Sequence, residues 1–230
     1  MKPLLLLLLI SLTATTANAQ QAQSYTPVEG VNYHVLQTPV QTEGKIEVAE
    51  FFWYGCPHCF SMEPYLNNWL TAVPADVEFV RVPATFQNRE NVMMHARTFY
   101  ALQQMGVVEQ HHDAIFEEMH VQKNKLSTQP EMERFLASRG VDVNALRSAM
   151  ESFEVNMKIQ EAIQLASEYG ISGVPAMVVD KHYRDGKAGT WQQKFMNVNY
   201  LIEKARQNRA AAAAPAPVLP AQEAAAPATN

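Results

Sequence analysis

The chain has 230 residues, of which 47% are hydrophobic, so it is long enough to bury a core without cross-links. Its 18 Lys and Arg residues against 23 Asp and Glu residues give a formal net charge of −5. This mild acidity argues against nucleic acid or an anionic membrane surface as a partner. The chain contains only 2 cysteines, which excludes a small scaffold held together by several disulfides.

The first residues have the pattern of an export signal. Lys2 precedes an apolar run over residues 4–10, and Ala17-Asn18-Ala19 matches a small-x-small cleavage site. The run is shorter than the about 20 apolar residues that a membrane-spanning helix needs. We therefore expect residues 1–19 to be removed near Ala19/Gln20, and the protein to act in the periplasm or outside the cell, where disulfides persist.

Strand and helix patterns alternate along the rest of the chain. Strands are predicted at residues 31–36, 46–53, 77–82 and 176–179. Helices are predicted at residues 62–70, 152–169 and 198–209, with further amphipathic stretches from residue 91 onward. Asp185-Gly186 is a hairpin signal, and Gly170 is a helix C-cap signal. These elements predict an α/β domain (residues 20–85 and 170–209) that is split by an all-helical insertion (residues 86–169) and followed by an Ala/Pro-rich disordered tail (residues 210–230).

The two cysteines form the motif Cys56-Pro57-His58-Cys59, directly after the predicted strand at 46–53. Two thiols three positions apart at a strand-to-helix junction are typical of a dithiol that opens and closes. A disulfide between them closes a very short loop, which gives it little value as a structural cross-link in the chain-entropy model. A fixed structural disulfide is the alternative interpretation.

A zinc site is the other alternative for a cysteine pair, but a structural site needs four ligands. The histidines are scattered over predicted helices, where we expect solvated surface positions; they include His95, His111, His112 and His120. No metal is therefore predicted.

Three segments together resemble one family. Phe51-Phe52, the Cys56–Cys59 motif and the distant Gly173-Val174-Pro175-Ala176 are similar to the DsbA family of bacterial periplasmic disulfide oxidants. The resemblance covers residues 20–209 and implies a thioredoxin-like fold with an inserted all-helical domain. It also implies that Val174 and Pro175 form a substrate-binding loop that faces the dithiol, with their peptide bond cis. Without the resemblance, Pro175 is an ordinary proline at the start of a strand.

The residues of the motif support thiolate chemistry in their own right. Cys56 is expected at the first turn of a helix, where free N–H groups and the helix dipole stabilise an anion. Pro57 suits that turn because its missing N–H has no helical partner there. His58 adds an N–H donor or a positive charge beside the sulfur, unless it is simply a solvated loop histidine. Cys59, inside the helix, is expected to be the buried resolving thiol.

Glu50 interrupts an apolar strand that should be buried on both faces. Burial should raise its pKa, which would let it exchange a proton with Cys59; the alternative is a neutral carboxyl held by a structural hydrogen bond. The resemblance places Glu50 at the family's buried acid and Glu63 at a second family acid on the active-site helix. The lysine sometimes found near that acid is not evident around residues 80–83, so the sequence does not say what balances the charge of Glu50.

The sequence predicts a thiol:disulfide oxidoreductase that donates its Cys56–Cys59 disulfide to reduced, unfolded exported proteins. No metal or organic cofactor is expected, since the two sulfurs carry the electrons. The resemblance implies reoxidation by a quinone-linked membrane oxidase of the DsbB type, and we expect a monomer. The alternatives are a reductase or isomerase on the same fold, and a peptide-binding or chaperone module with a groove lined by methionines such as Met93 or Met94, which are more often core residues.

Overall fold

The computed structural model describes residues 25–36, 44–85 and 89–213. The predicted export signal and most of the predicted tail lie outside these ranges. The elements are, in chain order, β1 (Tyr33–Val35), β2 (Ile46–Phe52), α1 (Pro57–Leu70), β3 (Val77–Pro83), α2 (Glu90–Gln104), α3 (Val108–His120), α4 (Gln129–Ala137), α5 (Val143–Glu151), α6 (Phe153–Glu168), β4 (Ala176–Val179), β5 (Tyr183–Asp185) and α7 (Trp191–Ala213).

The strands form one mixed sheet in the order β1-β5-β4-β2-β3. Strand β2 is parallel to β3 and antiparallel to β4, so it is flanked on both sides. One apolar core lies between the sheet and helices α2–α6, and it includes Phe51, Leu102, Ile115, Leu136 and Ile159. A second core lies against α1 and α7, and it includes Val48, Leu66, Met177, Val198 and Leu201. Residues of β2 therefore contribute to the cores on both faces of the sheet, as predicted for its apolar sequence.

Five helices, α2–α6, lie between β3 and β4 in the described chain. This matches the predicted position of the helical insertion, although its bounds at residues 86–169 stay a prediction. Gly170 follows the last of these helices with a φ of +59°. A left-handed residue at this position is a common helix ending and favours glycine.

Helix α1 begins five residues before the predicted start at Met62, because Cys56 adopts extended backbone angles as the N-cap and Pro57 occupies the first helical position. Pro64, expected near the start of the helix, lies inside it. The missing N–H of Pro64 removes one backbone hydrogen bond, and the helix continues to Leu70.

The hairpin prediction at Asp185-Gly186 was wrong. The turn between β4 and β5 lies at Asp180 and Lys181, which have φ values of 56° and 51°. His182 N–H closes this turn on the Val179 carbonyl at 3.1 Å. Two positive φ values define a type I′ turn, which usually contains glycine or asparagine, and Asp-Lys does not display that signal.

The last helix is longer than predicted at both ends. It starts at Trp191 instead of Val198 and continues to Ala213, so residues 210–213 are helical and not part of an extended tail. Alanine has the highest helix propensity, and the first proline after the start of this helix is Pro215. Among the described residues, no helix is long and apolar enough to cross a membrane.

Candidate active site

The two cysteines lie at the junction between strand β2 and helix α1. Cys56 is the N-cap of α1, and its Sγ accepts a hydrogen bond from the Cys59 backbone N–H at 3.3 Å. Both thiols are free in this structure. Cys56 is only 7% exposed, but it is the more accessible of the two, since Cys59 is 0% exposed.

The surroundings of the two sulfurs shift their pKa values in opposite directions. A hydrogen bond from the Cys59 thiol lowers the pKa of Cys56 to about 6, against the opposing effect of burial. Part of this lowering comes from the backbone N–H groups of Cys59 and His58 and from the charge of a protonated His58. Burial raises the pKa of Cys59, and the nearby Cys56 sulfur raises it further. Cys56 is therefore the sulfur that carries negative charge at neutral pH.

The residues between the cysteines face solvent. Pro57 and His58 are exposed, and His58 lines a cleft of about 700 Å³ together with Tyr65 and Trp191. The backbone just before the motif is tightly packed, because a Cβ on Gly55 would lie 2.3 Å from the Trp53 ring. Cys56 N–H also bonds to the Trp53 carbonyl at 2.9 Å, which fixes the entry to the helix.

Val174 and Pro175 lie opposite the dithiol, as the resemblance implies. Their peptide bond is cis. The Val174 carbonyl oxygen is 3.5 Å from Cys56 Sγ, so a thiol on Cys56 can donate to it. Both residues line the same cleft as His58 and remain partly exposed. The loop before β4 thus brings backbone polar groups next to the more accessible sulfur.

Glu50 and Glu63 lie together in the interior, on β2 and α1. Glu50 is 0% exposed, and burial, followed by the charge of Glu63, raises its pKa to about 8. Arg81 of β3 opposes this shift, with its Nε 3.5 Å from Glu50 Oε2 and its Nη2 3.5 Å from Glu63 Oε2. Arg81 is therefore the positive charge near Glu50 that the sequence did not identify. It lies within residues 80–83, where the sequence has no lysine, and pairs in register with Glu50.

This buried cluster reaches the helical insertion. His112 of α3 has its Nε2 3.6 Å from Glu63 Oε1 and shares a 3.0 Å hydrogen bond between its Nδ1 and the Tyr54 hydroxyl. Burial lowers the pKa of His112. At the edge of the cluster, Arg81 Nη1 is 3.7 Å from the exposed Glu109. Sequence reasoning missed both His112 and Tyr54.

The expectation that these histidines are solvated was wrong for three of the four. His95, His111 and His112 are buried, and His120 is partly exposed. Trp53 Nε1–H donates to His95 Nδ1 at 3.0 Å, and His95 Nε2–H then donates to the Leu126 carbonyl at 2.8 Å. Periodicity alone could have found this burial, because these positions recur on the inner faces of α2 and α3.

One group of possible metal ligands occurs among the described residues. Ligand atoms of Glu63, His112 and Asp113 lie within 4.8 Å of one another. The guanidinium of Arg81 already provides positive charge beside Glu63, which disfavours a second cation there. The expectation that no metal takes part stays a prediction.

Comparison with known proteins gives consistent matches. A family described as DSBA-like thioredoxin domain matches residues 74–201. The thiol:disulfide interchange protein DsbA of Pseudomonas aeruginosa is 42% identical over 210 residues, which cover 90% of this chain and 98% of that protein. The DsbA of Azotobacter vinelandii is 43% identical over 213 residues, covering 90% and 99%.

Solved structures agree with these relatives. The crystal structure of Pseudomonas aeruginosa DsbA matches with a TM-score of 0.73 at 42% identity, covering 83% of this chain and 98% of that one. DsbA from Xylella fastidiosa matches with a TM-score of 0.72 at 28% identity, covering 80% and 100%. These matches confirm the predicted thioredoxin-like fold with inserted helices. The chain belongs to the DsbA family of thiol:disulfide oxidoreductases.

Proposed function

We propose that this protein acts in the periplasm, where it introduces disulfide bonds into reduced, unfolded exported proteins. The observation that carries the proposal is the difference between the two sulfurs. Cys56 is the more accessible one and its pKa is lowered to about 6, whereas Cys59 is fully buried and its pKa is raised. The predicted export signal at residues 1–19 supports the location.

The reaction proceeds in two exchanges. A substrate thiolate attacks Cys56 Sγ of the oxidised enzyme, a mixed disulfide forms, and the Cys56–Cys59 bond breaks with Cys59 as the leaving group. A second substrate thiolate then attacks the substrate sulfur of the mixed disulfide, and Cys56 leaves as a thiolate. The substrate has lost two electrons and gained a disulfide, and the enzyme holds both electrons as a reduced pair.

The two leaving groups have different requirements. Cys56 leaves readily because its thiolate is stabilised, which favours the reduced enzyme and makes its disulfide a good oxidant. Cys59 leaves into an apolar interior, where its raised pKa demands a proton. A carboxyl with a pKa of about 8 is protonated at neutral pH, so Glu50 is our candidate proton donor, with Glu63 as the next acid in the cluster.

The substrate is expected to bind as an extended chain beside the Val174–Pro175 loop. The Val174 carbonyl faces Cys56, and the cleft next to it is lined by His58, Tyr65 and Trp191. Pairing with main-chain groups accepts many sequences, which suits an enzyme that acts on many unfolded chains.

Each turnover leaves the enzyme reduced, so an oxidant must restore the disulfide. We propose a quinone-linked membrane oxidase of the DsbB type. No metal or organic cofactor is required in this cycle, because the two sulfurs carry the electrons, and we propose that the protein works as a monomer.

The redox state of Cys56 and Cys59 in cells tests the direction of the reaction. Alkylation trapping in the source bacterium is expected to find the pair mostly oxidised. A mostly reduced pair would instead support the reductase or isomerase alternative. A chaperone role would require that a Cys56→Ala variant still suppresses aggregation of an unfolded protein, which we do not expect.

A further inference from the structure

Lys194 of α7 and Asp185 of β5 form an ion pair inside the protein. Lys194 is 6% exposed and Asp185 is 7% exposed, and Lys194 Nζ contacts Asp185 Oδ2 directly. Lysine and aspartate are seldom this buried unless they are paired. The charge of Lys194 slightly opposes the rise in the pKa of Glu50, but the proposed exchanges assign neither member of the pair a role.

Both members of the pair also hold the backbone next to the Val174–Pro175 loop. Lys194 Nζ donates to the Pro175 carbonyl at 3.3 Å. Asp185 Oδ1 accepts from the Met177 N–H at 2.7 Å. These contacts anchor the chain on both sides of Ala176, within three residues of the carbonyl that faces Cys56.

The sheet explains why Asp185 is available for this contact. The β4–β5 ladder pairs Val179 with Tyr183 and Val178 with Arg184, and it stops there. An extension in the same register would place Met177 opposite Asp185. The Asp185 carboxylate, in place of a backbone carbonyl, accepts the Met177 N–H, and Lys194 neutralises that carboxylate.

Two clefts border the Val174–Pro175 loop. Pro175, Gly186 and Lys194 line the cleft that contains His58, and they also line a second cleft beside Arg184. Val174 is only partly buried. Lys194 therefore borders both clefts, next to the part of the loop that the substrate is expected to contact, and Asp185 borders the second cleft.

We propose that Lys194 and Asp185 are positioning residues, which hold the Val174–Pro175 loop at the distance from Cys56 that a bound substrate chain requires. This inference rests on the proposed function. A buried ion pair is a weak source of stability, since apolar replacements are often neutral, so a positional role explains it better than a contribution to stability alone.

The test compares two substrates in the double variant Lys194→Met/Asp185→Asn. The substitutions remove both charges together, and the amide oxygen of the introduced asparagine can still accept the Met177 N–H. Oxidation of a reduced cysteine-containing peptide is expected to slow by about tenfold, because a misplaced positioning group lowers the rate at the reacting centre. Oxidation of dithiothreitol, which has no peptide backbone to pair with Val174, should stay within about twofold. The readout is the ratio of the two rates.

The control is a second ion pair that is far from the dithiol in sequence. Glu133 and Arg147, on α4 and α5, are joined by contacts of 2.9 and 2.6 Å, and the Glu133 side chain is buried. Glu133→Gln/Arg147→Met should lower stability toward urea and leave the rate ratio unchanged. Lys194→Arg keeps the charge pair but changes the contact with the Pro175 carbonyl, so it should lower the ratio by a smaller factor, and it serves if the double variant does not fold.

An unchanged ratio in the folded Lys194 and Asp185 variants would overturn the positional role. If the oxidised wild-type protein failed to react with dithiothreitol at all, the proposed function itself would be wrong. The two failures are therefore distinguishable.

Discussion

Cys56 and Cys59 are the same residue type, one helical turn apart, yet they lie in opposite electrostatic surroundings. Cys56 is the N-cap of α1 and receives N–H donors, and its pKa falls to about 6. Cys59 is fully buried among apolar side chains, and its pKa rises. The position of each thiol relative to the helix end and the core decides which sulfur bears charge.

The two sides of the site also differ in how they are built. The groups that stabilise the Cys56 thiolate come from the next three residues of the same chain segment. The acid cluster on the Cys59 side combines Glu50 of β2, Glu63 of α1 and Arg81 of β3. The accessible side is thus formed by local structure, whereas the buried side exists only when the sheet and helix pack together.

Single cysteine variants test this asymmetry with the largest effects. Cys56→Ser should abolish oxidation of a reduced peptide, because the accessible nucleophilic sulfur is lost. Cys59→Ser keeps a reactive Cys56 and should accumulate mixed disulfides, since no second thiol in the enzyme can release them. Non-reducing gels after incubation with oxidised substrate measure this. Mixed disulfides on Cys59 in the Cys56→Ser variant, with none in the other, would reverse the assigned roles.

Glu50→Gln tests proton donation on the buried side. Reduction of the enzyme disulfide by substrate thiols should slow by roughly a hundredfold, as expected for loss of a general acid. The wild-type rate, corrected for ionisation of the substrate thiol, should fall as pH rises through about 8, where Glu50 ionises, and the variant should lack this dependence. Glu78→Gln, at an exposed position on the adjacent strand, is the control. Equal rates and equal pH profiles would leave Glu50 without a role in proton transfer.

Glu50→Gln should slow the reaction but increase the stability of the folded protein. The folded pKa of Glu50 is raised, so its favourable contribution is complete below the unfolded value near 4.5 and is lost as pH rises through about 8. Glu50→Gln should therefore gain stability over wild type across this interval, by on the order of several kcal/mol. Urea unfolding at pH 4.5 and pH 8 measures the gain, and a constant difference would contradict it.

Arg81→Met removes the positive charge that faces both buried acids. We expect a loss of about 3 kcal/mol in the free energy of unfolding at pH 7, because an unpaired buried charge remains. Arg206→Met breaks exposed ion pairs with Asp76 and Glu203 and should cost far less stability, because exposed pairs contribute little. Adding Glu63→Gln to the Arg81 variant should recover part of the loss. Equal losses for the two arginine variants would mean that Arg81 is not a buried counter-charge.

The sequence predicts most of the fold, because the strands and most helices can be identified from the hydrophobic pattern of a few neighbouring residues. Strand β4 was placed at its observed bounds, and β2 and β3 to within one residue. The errors fall where local signals mislead. Pro64 suggested a helix start although it lies inside α1, and Asp185-Gly186 suggested a turn that Asp180 and Lys181 make instead.

The accessible half of the site was also predictable, because capping, dipole and proline rules act within a few residues. The buried half was predictable only in part. Glu50 could be singled out as a charge in an apolar strand, but its partner could not, since a parallel register between β2 and β3 brings Arg81 to it. Lys194 gave no signal and Asp185 gave only a misleading turn signal, because an ordinary lysine and aspartate indicate an ion pair only when tertiary packing buries both.

The smallest predicted effect concerns the two redox forms. Because the folded pKa of Cys56 is lowered to about 6, thiolate stabilisation is complete above the unfolded pKa of about 8.5 and is lost as pH falls through about 6. The oxidised form has no thiolate, so the stability of the reduced form relative to the oxidised form should rise by roughly 2 kcal/mol between pH 5 and pH 8. Urea unfolding of both forms at the two pH values measures the change. The stability of Cys56→Ala relative to the oxidised wild-type protein should not rise over the same pH interval. A difference independent of pH would show that folding does not lower the pKa of Cys56, and the contrast between the two sulfurs would then have to come from accessibility alone.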